Sequence, residues 1–271
     1  MSLGENLYRI RKERKLSQET VADALGVSFQ AVSAWERDEY TPDTNHLIRL
    51  AEYLDVSLSS LIEDQDEFFP VSQNIYDWEH MKTFVKTTAK VYNLTNTQNA
   101  LEFACKAHQG QTRKNSDIPY IYHPLNLACH CLAMDIREDT VIAACLLHDV
   151  IEDCGVTAGE LPVDEEVREL VLLLTREKDH GFDRDEIMRK YIGKISGNPK
   201  ASLIKLLDRC NNITTMAWGL SRKRIYRTIR ETETYILPLL DVIKQVPEYN
   251  NAAWLLKYQI VSTLDIYKRL L

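Results

Sequence analysis

The sequence lacks any apolar run that approaches the roughly 20 residues needed to span a bilayer. It also lacks an N-terminal charged-then-apolar segment of the kind that directs secretion. We therefore predict a cytoplasmic protein with no membrane partner. No C-x-x-C pair occurs among the six cysteines, which argues against a zinc or disulfide framework and favours buried free thiols.

Strand-like alternation of apolar and polar residues is also missing, as are internal repeats and low-complexity tracts. Helical periodicity dominates instead, so the sequence predicts an all-α fold. Residues 1–63 predict a small domain and residues 81–271 a larger α-helical one. Residues 64–80 interrupt the periodicity with acids, Pro70 and other polar residues, which predicts a linker.

Positive charge is in the minority across the whole chain. The 271 residues carry a formal net charge of −7. A polyanionic ligand must therefore be met by local basic clusters and not by the overall field of the protein.

The segment "SQETVADALGVSFQAVSAWERDEYTP" has the pattern of two short helices joined by a tight bend. Ser17 can cap the first helix and Gly26 supplies the turn. Val32 and Trp35 give the second helix a buried face. Such a bend presents the second helix to the major groove of DNA. The pattern resembles that of the Cro/phage-repressor (XRE) family.

This resemblance continues through Asn45–Ile62 and implies a five-helix helix-turn-helix domain that binds a double-stranded DNA operator as a homodimer. Glutamine suits adenine edges, and arginine suits guanine or phosphate. Residues 1–62 hold seven Lys/Arg against ten Asp/Glu, which is poor for counterion-release affinity. A domain that binds a protein, or that serves only for dimerisation, therefore stays an alternative. The implied DNA contacts are Gln18, Phe29, Gln30, Ser33 and Arg37.

A second motif, "LLHDVIEDC", places four ionisable groups after an apolar run. A helix from Asp139 to Gly155 would put His148 and Glu152 on one face and Asp149 and Asp153 on the neighbouring stripe. An isolated buried carboxylate costs several kcal/mol. These groups therefore require a metal ion or fixed donors.

Distant segments supply two further candidates, so that the four predicted ligands are His123, His148, Asp149 and Asp208. Two imidazoles and two carboxylates suit one divalent ion such as Mn²⁺. That ion would lower the pKa of a bound water, and the hydroxide would attack phosphorus. Glu152 and Asp153, one helical turn later, are spaced to orient this water or to shuttle its proton.

Five motifs occur in order along the larger domain: "AHQGQTRKNSDIPYIYHPL", "AACLLHDVIEDC", "ELVLLLTREKD", "IKLLDRCNNITTM" and "ETETYILPLL". Together they resemble the HD-type hydrolase domain of the RelA/SpoT homologues and the small alarmone hydrolases. The resemblance implies an HD phosphohydrolase fold and Mn²⁺-dependent removal of the 3′-pyrophosphate of (p)ppGpp. It also implies one Mn²⁺ on the four predicted ligands, and Glu152 and Asp153 as the catalytic pair.

The same resemblance implies substrate contacts at Arg113, Lys114, Ser116, Asn212 and Thr215. Three positions depart from the family pattern. The loop around Ser116 is one residue longer, Asn211 stands where histidine is common, and Cys154 stands where threonine is common. None of these departures removes a predicted ligand or the catalytic pair.

Two alternatives stay open at this point. One is a transcriptional regulator whose HD domain senses an alarmone or another nucleotide without turning it over. The other is the same chemistry on a different phosphorylated nucleotide, such as NADPH.

Overall fold

The computed structural model describes residues 2–56, 58–62, 77–113, 118–176, 183–216 and 220–271. Within these residues the only β-structure is one bridge between Thr112 and Pro119, so the all-α prediction is confirmed. None of the helices described is both long enough and apolar enough to span a bilayer. All six cysteines are free thiols. Chain contacts separate one unit, residues 1–75 and 217–226, from a second, residues 76–216 and 227–271.

Among its described residues the first unit contains five complete helices: α1 (Leu3–Glu13), α2 (Gln18–Leu25), α3 (Phe29–Glu36), α4 (Thr44–Tyr53) and α5 (Leu58–Ile62). The Ser17 hydroxyl accepts a hydrogen bond from the Thr20 amide at 3.0 Å and so caps α2. Gly26 ends α2 with φ of 70°, a left-handed conformation that glycine adopts without steric cost. Val32 and Trp35 are buried. The predicted cap, turn and buried face are thus all confirmed.

A buried ion pair ties α1 to α3 in this unit. Arg11 donates to both carboxylate oxygens of Glu36, at 2.5 and 2.7 Å, and the two side chains are only 5% and 3% exposed. The Gln18 amide donates to the same carboxylate at 2.7 Å. The hydrogen bond to Glu36 raises the pKa of Arg11 further above its ordinary value. This carboxylate therefore holds α1, α3 and the start of α2 together.

The second unit contains these helices in full: α6 (Trp78–Val91), α7 (Thr95–Ala107), α8 (Tyr122–Ala133), α9 (Asp139–Leu147), α10 (Val150–Cys154), α11 (Glu165–Leu174), α12 (Arg184–Ser196), α13 (Pro199–Thr214), α15 (Leu239–Ile243) and α16 (Asn250–Leu270). Helix α14 (Arg222–Glu231) is divided, because its residues up to Tyr226 group with the first unit and the rest with the second. The central element is α9, whose residues 140–147 are all buried. It packs against α7, α8, α11 and α13. Any polar side chain at the end of α9 therefore enters a crowded, largely apolar region.

The single helix predicted from Asp139 to Gly155 is divided in the structure. Helix α9 ends at Leu147, and α10 begins at Val150 after a turn at His148 and Asp149. Gly155 ends α10 with φ of 68°, as its place in the sequence predicts. The division allows two consecutive side chains, His148 and Asp149, to point at one place, which a regular helix would not permit.

The segment before α6 falls partly within the predicted linker. Helix α6 begins at Trp78, with the Asp77 carboxylate accepting from the His80 amide at 2.9 Å. The last residues of the predicted linker are therefore helical. Residues 64–76 of that linker lie outside the described residues.

The Arg11–Glu36 pair gives a stability prediction. Glu36→Ala leaves the Arg11 guanidinium buried without its counter-ion, so we expect a loss of about 3–5 kcal/mol. Glu39→Ala is the control, because the Arg37–Glu39 pair is more than half exposed and such pairs contribute about 0–1 kcal/mol. Urea unfolding of both variants measures the difference. Equal losses in the two variants would contradict the structural role of Glu36.

Candidate metal centre and helix-turn-helix surface

Four side chains from separate elements meet at one point in the second unit: His123 on α8, His148 and Asp149 in the turn after α9, and Asp208 on α13. The two Nε2 atoms of His123 and His148 lie 3.2 Å apart. His123 Nε2 lies 3.5 Å from the Asp149 carboxylate and 3.4 Å from that of Asp208. His148 Nε2 lies 3.2 and 4.0 Å from the same two groups. The structure thus brings the four predicted ligands together.

The far ring nitrogens fix the orientation of both imidazoles. His123 Nδ1 donates to Asn211 Oδ1 at 2.6 Å, and the Asn211 amide donates in turn to Asn126 at 2.8 Å. His148 Nδ1 donates to the Cys145 carbonyl at 2.9 Å. A proton held on Nδ1 leaves the lone pair of Nε2 free. Both lone pairs are therefore directed at the shared point, as metal-binding imidazoles require.

Both carboxylates are ionised and held by fixed donors. The Tyr120 hydroxyl donates to Asp149 at 2.7 Å, and Lys205 Nζ donates to Asp208 at 2.8 Å. Burial alone would raise the pKa of Asp208, but Lys205 and His123 hold it well below its usual range. Burial alone would lower the pKa of His148, but Asp149 and Asp208 raise it to about 9. A bound cation would therefore replace the proton on Nε2 and leave the imidazole neutral.

The chemistry of this donor set fits a divalent cation. The metal-binding atoms of His123, His148 and Asp149 all lie within 4.8 Å of one another. Two neutral nitrogens and two anionic oxygens match borderline divalent ions, and no thiolate is present to select a softer one. An ion at this point would also relieve the crowding of two buried carboxylates.

A cavity of about 250 Å³ adjoins three of the four ligands, His148, Asp149 and Asp208, and is lined by both acids and bases. Arg184 pairs with Glu231 at 2.7 Å. Arg209 has no hydrogen bond or ion pair with any residue that the structure describes. Burial lowers the pKa of Arg209, the carboxylates of Asp208 and Glu231 oppose this effect, and the charges of Arg176 and Arg184 add to it. Three neighbouring guanidiniums therefore face a cavity that begins at the ligand cluster.

The predicted catalytic pair is divided between two environments. Glu152 lines the cavity and accepts a hydrogen bond from the Arg176 amide. Its side chain is partly in contact with solvent, but partial burial raises the pKa of its carboxyl group. Asp153 is exposed and lies outside the cavity lining, next to the Tyr120 hydroxyl. The geometry thus brings Glu152, more than Asp153, to the cavity.

Only some of the predicted substrate contacts are joined to the ligand cluster. Arg113 donates to Asn212 at 3.0 Å, and Asn212 donates to Asp208, so a chain of hydrogen bonds joins both residues to the ligand cluster. Thr215 caps the end of α13 and is half-buried. Lys114 and Ser116 lie outside the described residues.

Several residues of this site were missed by sequence reasoning. Lys205 lies one helical turn before Asp208, a spacing that could have indicated the ion pair. Tyr120 lies three residues before His123 and had no comparable signal. His108 is buried with its ring stacked 4.7 Å from that of Tyr120. The three cavity arginines come from α13 and the segments around α12, so no local pattern joins them.

In the first unit, α3 exposes part of the predicted DNA-binding surface. Phe29 is 45% exposed at the start of α3, and Gln30 beside it is also exposed. Arg37 pairs with Glu39 at 2.8 Å and also donates to the Ser33 hydroxyl. Gln18 is bound to Glu36. Phe29 and Gln30 are therefore available to a ligand, while Gln18 and Arg37 are engaged within the unit.

Asn211 gives a prediction for metal affinity. Asn211→Leu removes the acceptor for His123 Nδ1, so the imidazole loses its fixed orientation, and we expect divalent-ion affinity to fall about 10–100-fold. The matched control is Asn251→Leu on the exposed face of α16. A Mn²⁺ titration followed by electron paramagnetic resonance measures both variants. Unchanged affinity in Asn211→Leu would show that this contact does not orient a ligand.

Comparison with known protein families agrees with this division of the chain. Residues 7–61 match the sequence model of the helix-turn-helix family, and residues 100–234 match that of the HD domain. The second match contains all four clustered ligands and the residues next to them.

Curated relatives match the region around the HD domain. A guanosine-3′,5′-bis(diphosphate) 3′-pyrophosphohydrolase of Aquifex aeolicus is 35% identical over 146 residues, 52% of this chain and 20% of that protein. A probable GTP pyrophosphokinase of Mycobacterium leprae is 38% identical over 157 residues, 54% of this chain and 19% of that protein. The bifunctional (p)ppGpp synthase/hydrolase SpoT of Escherichia coli is 33% identical over 172 residues, 61% of this chain and 24% of that protein.

The matched segment thus spans about a fifth to a quarter of the length of these relatives. The chain combines a helix-turn-helix domain with an HD domain that is homologous to the RelA/SpoT (p)ppGpp hydrolases.

Proposed function

We propose that the HD domain is a Mn²⁺-dependent pyrophosphohydrolase that removes the 3′-pyrophosphate of (p)ppGpp. The observation that carries this proposal is the convergence of two imidazoles and two carboxylates beside a cavity that three guanidiniums line. Guanidiniums in the cavity lining suit a polyphosphate, and the cluster suits a divalent ion. The names of the relatives support the alarmone as substrate.

His123, His148, Asp149 and Asp208 would hold the Mn²⁺ ion. When bound, such an ion supplies charge stabilisation for a phosphoryl group and acidifies water. Lys205 keeps Asp208 ionised, and Tyr120 fixes one oxygen of Asp149. These contacts hold the ligands in place before any substrate enters, which lowers the cost of reorganisation during the reaction.

Glu152 is the proposed proton acceptor. Its pKa is raised by partial burial and by the neighbouring Asp149, and it lines the cavity next to the ligand cluster. A carboxylate with a raised pKa is a better base than an ordinary one and still ionises near neutral pH. It can therefore take the proton from an attacking water. Asp153, held near Tyr120, would pass that proton towards solvent.

Arg176, Arg184 and Arg209 would bind the phosphate oxygens of the substrate. Arginine offers bidentate, charge-assisted hydrogen bonds that match phosphate geometry. Arg209 donates no hydrogen bond to any residue described, although the carboxylates of Asp208 and Glu231 lie near enough to attract its charge. Arg113, joined to the cluster through Asn212, would meet the substrate at the other side of the metal ligands.

We further propose that the first unit binds a DNA operator in the cytoplasm, as a homodimer on a palindromic site. The family match and the exposure of Phe29 and Gln30 at the start of α3 support this proposal. The N-terminal residues of a recognition helix are those that reach base edges in this class of domain.

Arg209 gives a prediction on substrate affinity. Arg209→Gln removes one charge-assisted contact worth about 1.5–3 kcal/mol, so we expect kcat/KM for ppGpp to fall about 10–100-fold, mainly through KM. Arg189→Gln, on the exposed side of α12, is the matched control and should leave both constants unchanged. Steady-state release of pyrophosphate measures them. An equal KM in both variants would contradict phosphate binding by Arg209.

Turnover itself tests the proposed reaction. With Mn²⁺ and ppGpp the protein should release pyrophosphate, and Asp149→Asn should abolish the release because the amide is a poor ligand. Calorimetry of ppGpp binding runs beside the assay. Tight binding without turnover would contradict hydrolysis and assign the domain as a sensor. Phosphate release from NADPH, with ppGpp left intact, would assign a different substrate.

A further inference from the structure

Helix α14 is rich in exposed basic residues. Five of its first nine residues are basic and exposed: Arg222, Lys223, Arg224, Arg227 and Arg230. The whole chain has 33 Lys/Arg in 271 residues and is acidic overall. No acid occurs in α14 before Glu231. A helix with an ordinary solvated face mixes both signs of charge, and α14 does not.

The fold directs these charges outwards. Ile225 and Ile229 are buried and hold one side of α14 against the protein. Lys223, Arg227 and Arg230 follow at spacings of four and three residues, so they form one stripe on the other side. Tyr226 lies beside this stripe and is 58% exposed. The result is a row of three cations with an aromatic ring next to it.

This row is unfavourable for the helix on its own. Lys223 and Arg227 are like charges one turn apart, which repel each other. The first turn of α14 also carries cations at the positive end of the helix dipole. Neither Lys223 nor Arg227 pairs with an acid that the structure describes. Arg230 lies 3.5 Å from Asp185, but the two side chains are 79% and 44% exposed, so this contact is weak.

Acids outnumber basic residues in the segment that holds the helix-turn-helix motif. Residues 1–62 hold seven Lys/Arg against ten Asp/Glu. Three of the seven are already paired with acids of the same unit, namely Arg9, Arg11 and Arg37. Affinity for DNA depends on cations that displace counterions from phosphates. A DNA-binding chain with this composition therefore needs phosphate contacts from outside its helix-turn-helix motif.

We infer that the outer face of α14, formed by Lys223, Arg227 and Arg230, binds the phosphate backbone of duplex DNA. The contact is electrostatic and independent of base sequence. Guanidiniums bind phosphate oxygens in pairs, and Tyr226 can pack on the sugar next to them. This surface lies outside residues 7–61 and so adds to the proposed operator contacts.

The salt dependence of DNA binding tests this inference. The full chain is titrated with a short duplex of mixed sequence over a range of NaCl concentrations, followed by fluorescence anisotropy. The double variant Lys223→Gln, Arg227→Gln removes two cations from α14. The control, Lys86→Gln with Lys90→Gln, removes two exposed cations from α6. Arg227→Lys keeps the charge and reports whether the position tolerates change.

Each phosphate contact contributes about 0.9 to the slope of log K against log salt. The α14 variant should therefore lose nearly two from this slope, while the α6 variant and Arg227→Lys keep that of the unchanged chain. Equal slopes for the α14 and α6 variants would overturn the inference and leave operator binding standing. Failure of the unchanged chain to bind duplex at low salt would overturn both. Weaker binding of the α14 variant to phosphatidylserine vesicles, with the duplex slope unchanged, would also overturn it and assign the face to lipid.

Discussion

Burial of charge is the constraint on which the HD domain depends. His123, His148 and Asp208 are almost excluded from solvent, beside a helix, α9, whose body is entirely apolar. Such groups are stable only when fixed donors or an ion satisfy them. The partners come from separate elements: Asn211 and Lys205 on α13, the Cys145 carbonyl on α9, and Tyr120 just before α8. Much of the packing of α8, α9 and α13 therefore serves to hold four donor atoms at one point.

Positive charge is distributed unevenly over the chain. The chain is acidic overall, yet many of its cations are concentrated at two places, the cavity and α14. Arg176, Arg184 and Arg209 face the cavity beside the buried carboxylates. Helix α14 carries basic side chains outwards, while Thr228 and Glu231 on the same helix line the cavity. Local clusters of cations of this kind can hold an anion even where the net charge of the protein is negative.

Local rules predicted the first unit well. The Ser17 cap, the Gly26 turn and the buried Trp35 depend on neighbouring residues only, and all three are present. The meeting of His123, His148, Asp149 and Asp208 was also predictable, because helical spacing and buried charge require partners. The division between α9 and α10 was not predictable, since it follows from tertiary packing around His148. Contacts between residues distant in sequence, such as Gln18 with Glu36 or Tyr120 with Asp149, produce no periodic pattern from which they could be predicted.

The proposed function requires one divalent ion that His123, His148, Asp149 and Asp208 coordinate together. A crystal of the protein grown with Mn²⁺, with diffraction data collected at the manganese absorption edge, tests it most directly. The account predicts one anomalous peak within about 2.5 Å of all four side chains, a distance typical of nitrogen and oxygen ligands. No peak at this point, or a peak bound by other residues, would contradict it.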